Sequence, residues 1–184
     1  MQEGQGAFYG PKLEIVLKDR RGREWQCGTI QVDLVMPVRF GAKYVDASGE
    51  RQPLVMLHRA LYGSLERFLG IVLEQHGAAL PPWLAPEQIL VVPVSPEQQD
   101  RAREVASVLR SEGLRPRLDE RSESLARRIA DAHSASIPFL AVIGAREAEA
   151  GSVSLRQRRA GDALELDLPS VLAHLSSACA RPEI

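Results

Sequence analysis

The run Ile89-Leu-Val-Val-Pro-Val-Ser-Pro-Glu97 decides the fold of the second half of the chain. Residues 89–94 are apolar throughout, which is typical of a strand buried on both faces. Ser95 follows at an N-cap position and Pro96 at the first helical position, so the run predicts a strand that passes directly into a helix. Strand and helix patterns then alternate to the C-terminus, which predicts an α/β domain with a mixed, mostly parallel sheet flanked by helices.

Residues 1–84 show a different order, in which strands precede one long helix. Leu13, Ile15 and Leu17 recur with period two and predict a strand that ends at the Asp-Arg-Arg-Gly turn of residues 19–22. A second strand carries polar groups on one face, formed by Trp25, Cys27, Thr29, Gln31 and Asp33. We interpret this face either as the wall of a site or as the solvated outer face of an antiparallel sheet.

A long helix is predicted to follow directly from residues 54–57, because apolar residues recur at helical spacing between Leu61 and Leu73. Gly77 stands at the C-cap position, and residues 77–86 have the Gly-, Ala- and Pro-rich composition of a linker. The sequence therefore predicts two domains. Residues 1–84 form an α+β unit, an antiparallel sheet piece with one long helix, and residues 85–184 form the α/β unit.

The composition excludes several classes of protein. Of 184 residues, 45% are hydrophobic and 26% are charged, as in ordinary globular proteins and unlike disordered, collagen-like or coiled-coil chains. No window approaches the roughly 20 apolar residues of a membrane span, and the polar start MQEGQGAFYG lacks the plan of a signal peptide. We therefore expect a cytoplasmic protein that contacts no membrane. Cys27 and Cys179 are expected to be free thiols.

Every basic residue between positions 86 and 184 is arginine. Some of these arginines stand in or beside a predicted helix capped by Ser124, and others lie on or just after a predicted strand. The two groups are Arg121, Arg127 and Arg128, and Arg156, Arg158 and Arg159. Because the planar guanidinium suits phosphates and unstacked bases, the pattern indicates a single-stranded nucleic-acid loop as a partner. Pairing with the acidic residues of the same half is the alternative.

Several runs together resemble the threonyl-tRNA synthetases, a family of class II aminoacyl-tRNA synthetases. FYGPK, WQCGTIQ and HRALYGSLERF resemble the C-terminal half of the catalytic domain. RPRLDERSESLARRIADA, IPFLAVIGAREAEAG and VSLRQRR resemble the anticodon-binding domain. The resemblance implies a role in translation, since the intact family joins threonine to its tRNA through threonyl-adenylate, using ATP and Mg²⁺. The implied nucleic-acid partner is tRNA and not DNA.

The motif Gly63-Ser-Leu-Glu-Arg67 resembles the third class II signature, in which the arginine stacks on adenine and contacts the triphosphate. The resemblance assigns catalytic roles to Arg67, Gln31 and Lys12. It assigns ATP binding to Arg67, Gln31, Tyr9 and Gly63. Gly63 and Gly70 are interpreted as helix positions without a side chain, where a ligand can approach the backbone closely.

His58 matches one of three ligands of the zinc ion with which the family recognises threonine. A catalytic zinc site needs three protein ligands and an open position, and the other two ligands have no counterpart in the sequence. Cys27 stands in a different motif and is not a replacement. We therefore expect His58 to be a relic of the site, or part of a site that another chain completes.

The first and second class II signatures also have no counterpart in the sequence. Because half of the groups that clamp the reacting phosphate are missing, we expect that this polypeptide alone forms no threonyl-adenylate. Three hypotheses stay open. The chain is a truncated synthetase, or one subunit of a split synthetase that works with a complementing half or as a homodimer, or a stand-alone tRNA- or RNA-binding module.

In the anticodon-binding domain, the resemblance assigns base recognition to one glutamate and one arginine, and the arginine cluster adds two further contacts. The positions are Glu147 or alternatively Glu149, Arg156 or Arg158, and Arg121 and Arg128. The chain departs from the family at Ser122 and Ala130, where relatives often carry asparagine and arginine. Both departures replace a longer polar side chain by a shorter one, which leaves fewer polar groups within reach of the anticodon. We therefore expect weaker affinity or specificity for the anticodon.

Overall fold

The computed structural model describes residues 7–77, 79–158 and 162–183. The chain divides into two compact units, Met1–Gln75 and His76–Ile184. The division falls at the last turn of the long helix, just before the Gly- and Pro-rich segment. Within the described ranges, no helix combines the length and the apolar character needed to span a membrane.

The first unit is built on an antiparallel sheet. In chain order its elements are β1 (Lys12–Lys18), β2 (Glu24–Asp33), α1 (Met36–Arg39), β3 (Lys43–Val45), β4 (Arg51–Pro53), β5 (Met56–Ala60) and α2 (Leu65–His76). The main sheet has the order β1-β2-β5, and β3 pairs with β4 in a separate hairpin. The predicted turn after β1 is present, because Asp19 accepts the backbone N–H groups of Arg21 and Arg23, each at 2.9 Å.

The prediction that residues 54–57 lead directly into the long helix is wrong. Met56–Ala60 forms β5, which pairs with β2, and α2 begins only at Leu65. Leu61 therefore lies outside the helix. Gly63 makes the intervening turn with a φ of 69°, a left-handed conformation that favours glycine. Periodicity missed β5 because a strand of 5 residues depends on pairing with residues far away in sequence.

Helix α2 ends as predicted, with Gly77 following it at a φ of 60°. However, none of the described residues of α2 is buried, and this includes the residues of its apolar stripe. Leu13, Ile30 and Leu57 of the main sheet are also exposed. The first unit therefore leaves apolar side chains of both its helix and its sheet uncovered.

The second unit is a mixed sheet flanked by helices. Its elements are β6 (Ile89–Pro93), α3 (Gln99–Ser111), β7 (Pro116–Leu118), α4 (Leu125–Ser134), β8 (Phe139–Ile143), α5 (Ala145–Ala150), β9 (Ser152–Gln157), β10 (Leu164–Asp167) and α6 (Leu168–Ala178). The sheet order is β10-β9-β8-β6-β7. Strand β6 is parallel to β7 and β8, whereas β9 is antiparallel to β8 and β10.

This sheet is mixed, as predicted, with its parallel part confined to β7, β6 and β8. Parallel neighbours need a connection of about a dozen residues or more, and helix α5, which joins β8 to β9, has only 6 residues. The chain therefore turns back after β8 and adds β9 and β10 in antiparallel orientation.

Helices cover both faces of the parallel strands. Ile89 and Phe139 belong to a core that includes α3 and α6, whereas Leu90 and Leu140 pack against α4. Helix α4 begins at the predicted cap, where the Ser124 side chain accepts the N–H of the third residue of the helix. The loops that follow β6, β7 and β8 leave these packed strands at one edge of the sheet, where the three strands have their carboxyl ends.

Candidate functional site

A row of polar side chains crosses the main sheet of the first unit. Lys12 on β1 lies directly opposite Gln31 on β2, and Gln31 lies directly opposite His58 on β5. Residues paired in this way share one face of the sheet. The Tyr9 hydroxyl donates a hydrogen bond to Gln31 Oε1. The centroids of the Tyr9 and His58 rings are 5.9 Å apart. Lys12 also forms an ion pair with Glu14. The structure thus brings together four residues that the sequence singled out.

This polar face is the covered face of the sheet. Thr29 and Asp33 are 9% and 1% exposed, whereas Leu13 and Ile30 on the opposite face are 56% and 42% exposed. The interpretation of the polar face as a solvated outer face is therefore wrong. Buried polar groups require hydrogen-bond partners, and the partners of Asp33 show how this face is organised.

The Asp33 carboxylate joins β2 to β5 and to the turn that follows β2. Its Oδ1 accepts the backbone N–H groups of Val35 and Met36 at 2.9 and 2.8 Å, and its Oδ2 lies 2.9 Å from Nε2 of His58. Burial raises the pKa of Asp33, but the hydrogen bonds from Met36, His58 and Val35 outweigh burial, so the pKa lies below its ordinary value. Sequence reasoning placed Asp33 on this face without a role, because its partners become neighbours only through strand pairing.

The surroundings of His58 do not fit a zinc site. Its Nε2 atom is engaged by Asp33, and Cys27 is buried. Among the residues that the structure describes, no three His, Cys, Asp or Glu side chains are grouped so that they could hold a metal ion. A catalytic zinc requires three protein ligands, so we assign no chemical step to a metal.

Arg67 lies near the other end of β2. It is exposed on the first turn of α2, where its N–H donates to the Ser64 hydroxyl at 3.1 Å, and its guanidinium donates to the Gln26 carbonyl at 3.3 Å. Gln26 and Gln31 are separated by roughly 15 Å along the strand. Arg67 and the row of Lys12, Gln31 and His58 therefore mark two separated positions on one sheet.

The prediction that Gly63 lies within the helix is wrong, since α2 begins at Leu65. A Cβ atom at Gly63 would come within 3.2 Å of the Cys27 carbonyl oxygen, whereas Gly70 in α2 has no atom within 4 Å of the equivalent point. The missing side chain at Gly63 thus lets the turn pack against the backbone of β2.

In the second unit, a cleft opens where the carboxyl ends of β6 and β7 meet. We call it the carboxyl-edge cleft, and its lining includes Ser95, Gln99, Arg121, Ser122, Glu123 and Arg128. Ligands of sheets with parallel strands bind preferentially at this edge. Two of the six arginines that the sequence singled out, Arg121 and Arg128, lie in the cleft.

Arg121 is held by two carboxylates. Its guanidinium contacts the two oxygens of Asp119 at 2.9 and 2.7 Å, and it donates to Oδ2 of Asp131 at 2.9 Å. The hydrogen bond with Asp119, followed by that with Asp131, raises the pKa of Arg121 above its ordinary value, and the hydrogen bond from Arg121 lowers the pKa of Asp119. The alternative that arginines of this half pair with its acidic residues therefore holds for Arg121.

Arg128 points into the protein instead of toward solvent. It is 4% exposed. Its guanidinium donates to the backbone carbonyl oxygens of Asp119 at 3.1 Å and Val94 at 3.4 Å. Sequence reasoning treated Arg128 like its neighbour Arg127, whose side chain is 69% exposed. The signal that was missed is its position three residues after Leu125, on the side of α4 that faces the core.

Glu147 closes the first turn of α5. Its Oε2 accepts the backbone N–H of Gly144 at 3.0 Å. This is one half of a capping box, because Gly144 has no side chain with which to bond the helix in return. Glu149, the alternative position, is exposed on the same helix. Because the loop at Gly144 follows β8, Glu147 lies at the same edge of the sheet as the carboxyl-edge cleft.

Arg156 and Arg158 occupy different surroundings. Arg156 is exposed on β9 and lies opposite Leu140, on the face of the sheet that α4 covers. The strand ends at Gln157, and the backbone N–H of Arg158 donates to the Pro138 carbonyl, just before β8 begins. Arg158 thus lies at the sheet edge opposite to Glu147. Arg159 lies outside the described residues, and Ser122 and Ala130 are exposed.

Two protein-family models match the chain. The model of the tRNA synthetase class II core domain (G, H, P, S and T) matches residues 1–76. The model of the anticodon binding domain matches residues 88–177. Together these two matches cover the polar face of the first unit and the carboxyl-edge cleft of the second.

Curated relatives match most of the chain. A threonine–tRNA ligase of Thermus thermophilus is 51% identical over 172 residues, which cover 94% of this chain and 26% of that protein. A threonine–tRNA ligase of Polaromonas naphthalenivorans is 49% identical over 174 residues, covering 95% of this chain and 27% of that protein. The chain thus spans about a quarter of the length of the curated relatives it matches.

A solved structure is similar to the chain in fold. The crystal structure of the RNA binding domain of threonyl-tRNA synthetase from Cryptosporidium parvum matches with a TM-score of 0.86 and 35% sequence identity. The match covers 95% of this chain and 44% of that chain.

Proposed function

The chain belongs to the threonyl-tRNA synthetase family, and on that premise we propose that its second unit binds the anticodon arm of a threonine tRNA. The observation that carries the proposal is the match of residues 88–177 to an anticodon-binding domain. Single-stranded loops are recognised through unstacked bases that stack on arginine or bond to side chains along their edges. The exposed side chains of Ser122 and Glu149 offer groups for such bonds.

The geometry supports base recognition at the carboxyl edge more than phosphate binding. Arg121 is occupied by Asp119 and Asp131, and Arg128 is buried. The cleft also contains Glu123, which repels phosphate but can accept a hydrogen bond from a base N–H group. We therefore place the bases at this edge and an attraction for the phosphate backbone at exposed Arg156.

A titration of the full chain with a fluorescently labelled threonine anticodon stem-loop tests this function at fixed low salt. The matched control is the same stem with the three anticodon bases replaced. We expect tighter binding of the threonine loop, because base contacts specify and phosphate contacts only position. Equal affinity for both loops, or no binding of either, contradicts the proposal.

We further propose that the first unit supplies Arg67, Gln31, Tyr9 and Lys12 to the ATP and threonine site of an assembled synthetase. The support is the match of residues 1–76 to a class II core, together with the row that joins Tyr9, Lys12 and Gln31 on one covered face. A planar guanidinium such as that of Arg67 suits both the face of adenine and the charge of a triphosphate. This family is ATP-dependent.

We propose that this polypeptide alone forms no threonyl-adenylate, because the first two class II signatures have no counterpart in its sequence. Charge that develops on a transferring group must be stabilised from several sides. Pyrophosphate exchange with threonine, ATP and Mg²⁺ measures this directly. Turnover like that of a full-length relative would contradict it.

A second candidate is a synthetase that is complete only when this chain pairs with a complementing half. It is favoured by the uncovered apolar side chains of α2 and of the main sheet, such as Leu65 and Leu57, since large exposed apolar patches mark interaction sites. The test is to mix the chain with the part of the Thermus thermophilus threonine–tRNA ligase that precedes the region matched by this chain, and to measure aminoacylation. Activity that appears only in the mixture supports pairing, and an inactive mixture that shows no complex in sedimentation contradicts it.

A further inference from the structure

We propose that Arg128 is a positioning residue for RNA binding, because its buried guanidinium ties together the two loops that border the carboxyl-edge cleft. This role rests on the proposed function of the second unit and adds to it how the cleft is held in shape. It also changes the expectation from the sequence, in which Arg128 contacts the anticodon directly.

The connection runs through two backbone carbonyls. Val94 directly follows β6, and Asp119 directly follows β7. The Arg128 side chain donates to the carbonyl oxygens of both, at 3.4 and 3.1 Å. A planar guanidinium presents separate N–H groups in fixed directions, so one side chain fixes the two loops relative to each other.

Backbone pairing stops just below this point. The ladder between β6 and β7 ends at Val91 and Leu118, and one further bond joins the Asp119 N–H to the Val91 carbonyl. Beyond it, the first loop is bonded internally through Ser95 and Gln98, and to β8 through the Val94 N–H and the Ile143 carbonyl. The second loop is bonded internally through Asp119 and Arg121, and to α4 and α3 through the pairs Arg121–Asp131 and Arg103–Glu120. Arg128 carries the connection between strands β6 and β7 into the loops, where a bound base would lie.

Stability alone does not account for an arginine at this position. Leu125, Ile129 and Ala132 share the core-facing side of α4 and pack against Leu90 and Leu140. A charge buried beside them costs free energy unless it is fully bonded, and the Nε atom of Arg128 is buried without a hydrogen-bond partner within the described chain. Replacing buried ionic groups by apolar ones is often neutral or stabilising. The arginine therefore fits a requirement on loop geometry better than a requirement on the core.

The test compares Arg128→Lys with the matched control Arg127→Lys in the full chain. Lysine keeps the charge but replaces the planar fork by a single nitrogen on a flexible stem. For Arg128→Lys we expect about five- to tenfold weaker binding of the threonine stem-loop, the size of one lost hydrogen bond. The dependence of affinity on salt stays as in the unchanged chain, because no phosphate contact is removed. The control variant keeps its affinity within about twofold.

A third variant separates positioning from direct contact. If Arg128 touches a phosphate, Arg128→Lys keeps its affinity, and Arg128→Met lowers the slope of log affinity against log salt by about one. Either result overturns the proposal. Thermal unfolding of each variant shows whether it is folded at the temperature of the titration.

Hydrogen exchange gives a readout that needs no RNA. We expect faster amide exchange over residues 94–99 and 119–123 in Arg128→Lys, and no change there in Arg127→Lys, because only the first substitution loosens the loops. Unchanged exchange in Arg128→Lys overturns the proposal whatever the RNA result. If the unchanged chain binds no stem-loop, the proposed function fails, and the exchange data alone decide whether Arg128 joins the loops.

Discussion

Glu147 and Gly144 are joined across the first turn of α5, where Oε2 of the glutamate accepts the glycine N–H at 3.0 Å. Glu147, which with Glu149 as the alternative is the position that the family resemblance assigns to base recognition, therefore also closes its own helix. A carboxylate has a second oxygen that can accept further bonds, so the two roles are compatible. They predict different behaviour for different substitutions.

Glu147→Ala removes both roles, whereas Glu147→Gln keeps an oxygen that can cap the helix. We expect Glu147→Ala to lower the free energy of unfolding by about 1 kcal/mol, the size of a lost cap. Glu147→Gln should leave unfolding unchanged and reduce the preference for the threonine anticodon. Urea unfolding and stem-loop titration measure the two effects. Glu149→Ala is the stability control, and a Gln variant with full anticodon preference contradicts the assignment to Glu147.

Arg156 and Arg158 differ in their surroundings, so their substitution should differ in effect. Arg156 is exposed on β9, and its change to alanine is expected to weaken stem-loop binding and to reduce the salt slope by about one. Arg158 lies at the opposite edge from Glu147 and is expected to matter less. Titrations of each single variant at several salt concentrations test this. An affinity loss confined to Arg158→Ala would reverse the assignment.

Gly63→Ala is expected to destabilise the first unit by about 1–2 kcal/mol, because alanine disfavours the left-handed conformation. The added Cβ would also meet the Cys27 carbonyl oxygen at 3.2 Å. Gly70→Ala is the matched control, since its Cβ enters open space in a helix and should stabilise by up to about 1 kcal/mol. Amide exchange of β2 and β5 reports both changes. Equal exchange in the two variants would show that the turn tolerates a side chain.

Acid is expected to loosen the first unit through Asp19 and Asp33. A hydrogen bond from Trp25, at 2.8 Å, holds the pKa of the Asp19 carboxyl well below its ordinary value, with further bonds from Arg23 and Arg21. Because the folded state holds both carboxylates at a lowered pKa, their stabilisation is complete at neutral pH. It is lost as the pH falls below about 4, where an unfolded aspartate takes up its proton.

The acid transition can be followed by tryptophan fluorescence in a chain whose second tryptophan, Trp83, is replaced by phenylalanine. In Asp19→Asn the signal change of Trp25 below about pH 4 is expected to become smaller, because only Asp33 is left to take up a proton there. The variant is expected to be destabilised at neutral pH as well. Asp100→Asn in the second unit is the control. A Trp25 signal that stays constant down to about pH 2 contradicts the prediction.

Local patterns predicted β6 and β8 of the second unit well, because every residue of these two strands is apolar. Ser124 also marks the start of α4 from sequence alone, and Gly77 marks the end of α2 in the same way. β5 was missed because pairing with β2, and not its own residues, makes it a strand. The candidate site was likewise predictable only where local sequence decides it. Tyr9, Gln31 and His58 could be named from sequence, whereas the bond between Asp33 and His58 and the burial of Arg128 depend on how distant segments meet.

The uneven covering of apolar side chains has a calorimetric consequence. Within the described ranges, most large exposed apolar side chains lie in the first unit, whereas the second exposes Leu84, Val94 and Leu164. Heat capacity change and denaturant sensitivity both scale with the surface that unfolding newly exposes. The first unit, whose large apolar side chains are mostly open to water already, contributes less to both than the second. A melting curve of the whole chain therefore reports the second unit, and the first can lose the alignment of Tyr9 with Gln31 without a visible transition.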